Sequence, residues 1–145
     1  GLHSGHGASF GGGTRAVHDF ARAVGIPVED IELHDGSGLC RSNTLTADAI
    51  IQLLQYMERS PWKQEFRESL ATVGVDESLR SMSHMVPEGR VRGKTGSLSG
   101  VFAFSGYADG ETDRFAFSII ANKLPNGSYP LKQARDRICR QLVNY

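Results

Sequence analysis

The sequence predicts an α+β domain in which helices come first, three antiparallel strands follow, and one helix closes the chain. Three observations carry that reading. Apolar residues in the first half recur at helical spacing, as Val17, Phe20, Ala21 and Val24 do at i, i+3, i+4 and i+7. Beyond residue 90 the pattern becomes strand-like in Val101–Tyr107 and Arg114–Ala121, with Asp109-Gly110 as the turn between them. Leu131, Arg135, Ile138 and Leu142 then return to helical spacing.

Each element has its own signals. The glycine-rich segment 1–13 reads as a flexible loop or a cut end, and residues 14–145 as the folded part. Thr14 caps a helix to Val24 that Gly25 and Pro27 stop. A short strand is expected at Ile31–Leu33, followed by the turn Asp35-Gly36-Ser37-Gly38. Thr46 caps a second helix with Ile50, Leu53, Leu54 and Met57 on its buried stripe. Ser60-Pro61 starts a third, with Trp62, Phe66 and Leu70 on one face. Residues 72–90 are polar and read as loop with a turn or two of helix. Val91–Ser97 is the first of the three strands, and Pro125-Asn126-Gly127 breaks the chain before the closing helix. Asn126-Gly127-Ser128 is a glycosylation triplet of a kind common by chance.

Composition narrows the function classes. The chain has 145 residues with 39% hydrophobic and 22% charged, the balance of one globular domain rather than a disordered chain. Sixteen basic residues match sixteen acidic ones, so there is no field to gather nucleic acid. No apolar run approaches the roughly 20 residues of a membrane helix. Cys40 and Cys139 lack zinc-ligand spacing, and two isolated buried thiols are expected, with a disulfide open in an oxidising compartment. His3 and His6 sit in the glycine-rich segment without a scaffold, and His34 and His84 have no informative partner, so no metal or cofactor is expected.

The strongest chemical signal is Lys94-Thr95-Gly96-Ser97. A lysine supplies positive potential, two hydroxyls can bond a carboxylate, and a glycine without Cβ lets an extended ligand lie against the strand. The tripeptide alone is weak, but it stands within Gly89-Arg90-Val91-Arg92-Gly93-Lys94-Thr95-Gly96-Ser97-Leu98-Ser99-Gly100-Val101. Some fifty residues upstream lies Asp35-Gly36-Ser37-Gly38-Leu39-Cys40-Arg41-Ser42-Asn43. With the Leu53-Leu54 helix and the Ala71–Leu79 stretch, these blocks resemble the D-alanyl-D-alanine carboxypeptidase/endopeptidases, the class C low-molecular-mass penicillin-binding proteins.

The resemblance runs from about Thr14 to Val143 and implies the C-terminal part of a penicillin-recognising domain. The family's S-x-x-K and S-x-N motifs lie upstream of the D-G-S-G-L block, so this chain is expected to lack the nucleophile and to be inactive alone. The whole protein is then expected to be a periplasmic or extracytoplasmic serine peptidase. It would act on peptidoglycan stem peptides and bind β-lactams, with the upstream part of the same protein as partner and a homo-oligomer allowed. Lys94 and Ser97 are implied as catalytic, with Thr95, Gly96, Leu98 and Ser99 binding substrate. A non-catalytic peptidoglycan-binding module and a serine β-lactamase are the alternatives.

Three residues invite other readings. Ser60-Pro61-Trp62-Lys63 spells S-x-x-K with the right helical spacing, but Ser60 before Pro61 fits a helix cap. Asp35 suits an Asx turn better than catalysis. Cys40 stands where the family usually has serine, a small substitution rather than a nucleophile.

Overall fold

A computed structural model describes residues 9–123 and 129–145. The chain divides into two compact units, Gly1–Leu53 and Leu54–Tyr145. His3, His6 and the Asn126-Gly127-Ser128 triplet lie outside the described residues.

In the first unit, helix α1 spans Phe10–Ala23 and starts four residues before the expected Thr14 cap. Ser9 is the cap instead, its Oγ accepting from the Gly12 N–H at 3.1 Å. Gly11–Gly13 therefore form the first helical turn rather than the end of a flexible segment. Gly25, at φ +80°, ends the helix as expected. Its N–H bonds Arg22 O at 3.1 Å and the Ile26 N–H bonds Ala21 O at 2.9 Å, a Schellman closure. The expected strand at Ile31–Leu33 is a single bridge between Glu32 and Thr44. Asn43 stops the ladder there, because its Oδ1 takes the His34 N–H at 2.7 Å. Ala21, Ile26 and Ala49 form the unit's core, with Val24, Val28, Ile31 and Leu53 packed against it. Helix α2, Ala47–Arg59, straddles the division and is capped as expected, Thr46 Oγ1 accepting from the Ala49 N–H at 3.0 Å.

The second unit holds helix α3 (Lys63–Glu68), strand β1 (Ala71–Thr72), a 3-10 helix (Glu77–Met82), strands β2 (Val91–Leu98), β3 (Val101–Asp109) and β4 (Arg114–Asn122), and helix α4 (Tyr129–Val143). The sheet is antiparallel in the order β1-β2-β3-β4, with one strand more than the sequence suggested. The additional β1 is two residues long and carries no periodicity to read. The Thr72 N–H bonding Asp76 Oδ2 at 2.8 Å fastens it to the following turn.

Pairing β2 with β3 places Gly93 opposite Gly106. A Cβ on Gly106 would sit 2.0 Å from the Arg92 carbonyl oxygen, and one on Gly93 would sit 2.7 Å from the Phe104 ring. These glycines allow the strands to approach and the Phe104 ring to lie across β2. Val91, Phe102, Phe104 and Phe117 line the core face, covered by Val73, Leu79, Met82 and Val86 and by Cys139 and Val143 of α4.

The buried face of α4 departs from the expected stripe. Arg135, Asp136, Cys139 and Val143 are buried, while Ile138 is 44% exposed. Arg135 is held inside because its Nε bonds Asp136 Oδ1 at 2.7 Å and its guanidinium lies 5.4 Å from the Phe104 ring centre. At the other end of the sheet, β4 has only β3 as strand neighbour among the described residues.

A further polar cluster ties α2 and α3 to β3. Arg67 pairs with Asp109 at 3.2 Å, and Arg114 pairs with Asp109 and with Glu58, the latter at 2.7 Å. The Tyr107 hydroxyl donates to Leu54 O at 2.7 Å. Burial pushes the Tyr107 phenol up to about 12, with the Glu58 charge acting the same way.

Candidate functional site

The candidate residues Lys94, Thr95, Gly96, Ser97 and Leu98 lie consecutively on β2, and Ser99 follows in the tight turn to β3. Strand alternation puts Arg92, Lys94 and Gly96 on one face and Thr95 and Ser97 on the other. The cross-strand neighbours of Thr95 and Ser97 are the buried Phe104 and Phe102, so their face is that of the core. The hydroxyls and the lysine therefore meet only along the outer edge of the strand, where one extended ligand can touch both faces.

That edge is open. Strand β1 pairs only with Arg92 and Gly93, leaving Lys94–Leu98 without an outer strand neighbour among the described residues. Where the chain peels away from β2 there is a polar cleft of about 570 Å³. Glu68, Asp76, Arg92, Lys94 and Thr95 are among its walls. Lys94 is exposed, and its Nζ donates to Thr95 O at 2.6 Å. A Cβ on Gly96 would meet only the Ala103 Cβ, at 3.5 Å. Packing within the protein does not require glycine at this position, in contrast to Gly93 and Gly106.

The remaining sequence candidates resolve locally. The Asp35 carboxylate accepts from the Ser37 N–H at 3.0 Å and from the Ser37 hydroxyl at 2.9 Å, as an Asx turn requires. The Ser37 backbone bond, then its hydroxyl, hold the Asp35 carboxyl below its ordinary value. Asn43 Nδ2 closes the loop on Asp35 O at 3.0 Å. Ser60 Oγ accepts from the Trp62 N–H at 3.1 Å and makes no hydrogen bond with Lys63 Nζ among the described residues. The hydroxyl closes a turn rather than capping at Pro61, and α3 begins two residues later than expected, at Lys63. Cys40 and Cys139 are both free thiols, Cys40 half-buried and Cys139 buried. Burial pushes the Cys139 thiol up to about 12. Among the described residues no cluster of acidic, His and Cys side chains is placed to hold a metal, and no helix is long and apolar enough to cross a membrane.

Sequence reasoning passed over Arg92. It is half-buried in the cleft wall, and its place two residues before Lys94 was the available signal, since a period of two puts both cations on one face.

The structure thus places the K-T-G residues along one edge of an antiparallel sheet backed by a helix and an aromatic core. The chain belongs to the D-Ala-D-Ala carboxypeptidase 3 (S13) family, whose pattern matches residues 1–145. It is 35% identical over 139 residues to a D-alanyl-D-alanine carboxypeptidase of Actinomadura sp., covering 92% of this chain and 26% of that protein. Its fold matches the crystal structure of penicillin binding protein 4 (dacB) from Haemophilus influenzae with a TM-score of 0.84 and 29% identity, over 95% of this chain and 33% of that one. A structure of the same protein complexed with a novel β-lactam matches equally, with a TM-score of 0.84 and 29% identity, over 95% of this chain and 34% of that one. The chain thus spans about a quarter to a third of the length of these relatives.

Proposed function

We propose that this chain is the K-T-G-bearing, substrate-holding part of a serine-type D-Ala-D-Ala carboxypeptidase/endopeptidase. The whole protein acts outside the cytoplasm on peptidoglycan stem peptides, and β-lactams acylate its serine. The observation that carries the reading is the open edge of β2 from Lys94 to Leu98, with Lys94 and Thr95 beside a polar cleft. An extended peptide adds there as a strand, bound by backbone hydrogen bonds and oriented by side chains from both faces.

The reaction is acyl transfer. The hydroxyl of a serine in the upstream part attacks the carbonyl between the two D-alanines. The C–N bond breaks, D-Ala leaves with the proton, and water then hydrolyses the ester to free the serine. Lys94 sets positive potential beside the substrate carboxylate, and the Thr95 and Ser97 hydroxyls bond that carboxylate. The Ser97 N–H is one oxyanion donor, a contribution typically worth about 2.7–4 kcal/mol. Leu98 and Ser99 line the pocket for the residue before the scissile bond. The upstream part also supplies a strand to the outer edge of β4, which would otherwise be an open, apolar edge carrying Phe115, Phe117, Ile119 and Ile120.

The test is Lys94→Ala in the full-length protein. Acylation by labelled penicillin should fall by orders of magnitude, because the charge facing the carboxylate is lost in the transition state. Labelling at the wild-type rate would show that Lys94 is not in the site.

A further inference from the structure

Arg92 is the one cation of the cleft that neither the K-T-G chemistry nor the fold uses. The residue is half-buried, yet its guanidinium has no hydrogen-bond or ion-pair partner among the described residues. Neither carboxylate in the same cleft pairs with it, and each holds a local donor through one oxygen. Glu68 Oε1 accepts from Gln64 Nε2 at 2.9 Å, and Asp76 Oδ2 accepts from the Thr72 N–H at 2.8 Å. A guanidinium without an anion in the wall of a polar cleft keeps its donors free for a carboxylate brought by a ligand.

The direction of the bound peptide says which carboxylate. The proposed roles put the residue before the scissile bond at Leu98 and Ser99, and the carboxylate after it at Thr95 and Ser97. The peptide thus runs toward lower residue numbers, antiparallel to β2, as each neighbouring pair in this sheet does. Strand β1 covers the edge at Gly93 and Arg92, so the peptide backbone ends at Lys94, and a leaving-group side chain longer than that of D-alanine extends over the Lys94 face toward Arg92. The two side chains share a face and are two residues apart, about 7 Å along the strand.

We infer that Arg92 is a specificity-determining residue on the leaving-group side of the scissile bond. It binds a second carboxylate carried by leaving groups larger than D-alanine, and so favours cleavage of peptide cross-links over release of a single D-alanine. This rests on the function proposed above. The guanidinium can take the carboxylate bidentately, which lysine at the same position cannot do.

The test uses the full-length protein and three acyl-D-Ala peptides whose leaving groups are D-alanine, D-norleucine and D-α-aminoadipate. The last two have similar length, and only the aminoadipate carries a second carboxylate. The wild type should prefer aminoadipate over norleucine. Arg92→Ala should lower kcat/KM about tenfold for the aminoadipate peptide alone, mainly through KM, as expected for a charged hydrogen bond made in both ground and transition states. Arg92→Lys should recover part of the loss. Penicillin acylation of both variants should match the wild type, which also reports that they are folded. An equal loss on all three peptides would make Arg92 a support of the strand and overturn the inference, as would no preference in the wild type or no loss in Arg92→Ala. If the wild type neither labels with penicillin nor cleaves any peptide, the proposed function itself falls, a result distinct from failure of the subsite alone.

Discussion

Replacing Gly96 by alanine should separate folding from function at the site. The added Cβ meets one atom, the Ala103 Cβ at 3.5 Å, which is ordinary van der Waals contact. Gly96 also lacks the positive φ that would strain an alanine. Gly to Ala within a strand relieves the backbone-entropy cost by roughly 0.5–1 kcal/mol. The full-length variant should therefore unfold at the wild-type temperature or a few degrees above it. Acylation should move the other way. The methyl stands on the Lys94 face beside the edge where a peptide strand would lie about 4.8 Å away. Pushing the reacting carbonyl about 1 Å out of place can cost about 100-fold in rate. The assay is penicillin labelling followed over time, beside a thermal melt. Gly106→Ala is the control for the same chemical change, since its Cβ would lie 2.0 Å from the Arg92 carbonyl oxygen and 2.6 Å from the Gly93 Cα. Those are backbone atoms, the β2–β3 pairing must open, and a loss above about 3 kcal/mol is expected. Labelling of a folded Gly96→Ala protein within about threefold of wild type would refute the edge-binding reading. A sharply lowered melting temperature would refute the packing argument.

Two more outcomes follow from particular side chains. The folded-state value of Tyr107 is raised from 10.0 to about 12. Its contribution to stability should be complete below pH 10 and lost as pH rises toward 12, and a difference absorbance titration against Tyr107→Phe should show its phenolate forming last. Residues 1–145 expressed alone should form no covalent adduct with benzylpenicillin by intact mass, because the Ser60 hydroxyl accepts from Trp62 rather than engaging Lys63. An adduct on Ser60 would overturn that assignment.

Much of the fold was legible because it rests on contacts close in sequence. Thr46 caps α2, Gly25 closes α1, and Asp109 ends the strand that pairs with Arg114. Each depends on residues within one turn, and the strands of the sheet announce themselves by period and turn chemistry. The K-T-G block was readable for the same reason, since the six candidate residues follow one another on β2 and its turn.

What the tertiary structure alone decided lies between distant residues. Ser9 and Thr14 are both good caps, and only the geometry chose Ser9 and drew three glycines into the helix. Arg135 lies inside because Phe104, thirty-one positions earlier, offers its ring and Asp136 neutralises its charge. Strand β1 exists because β2 gives it a ladder, and it stops at Gly93, which leaves Lys94–Leu98 open. Arg92 acquires a meaning only there. Sequence spacing can place two cations on one face, but whether a guanidinium finds a partner depends on where Glu68 and Asp76 fall, and each turns an oxygen to a local donor, Gln64 or Thr72, without pairing with Arg92. Local propensity sets which elements form. The burial of charge and the opening of an edge are set by which elements meet.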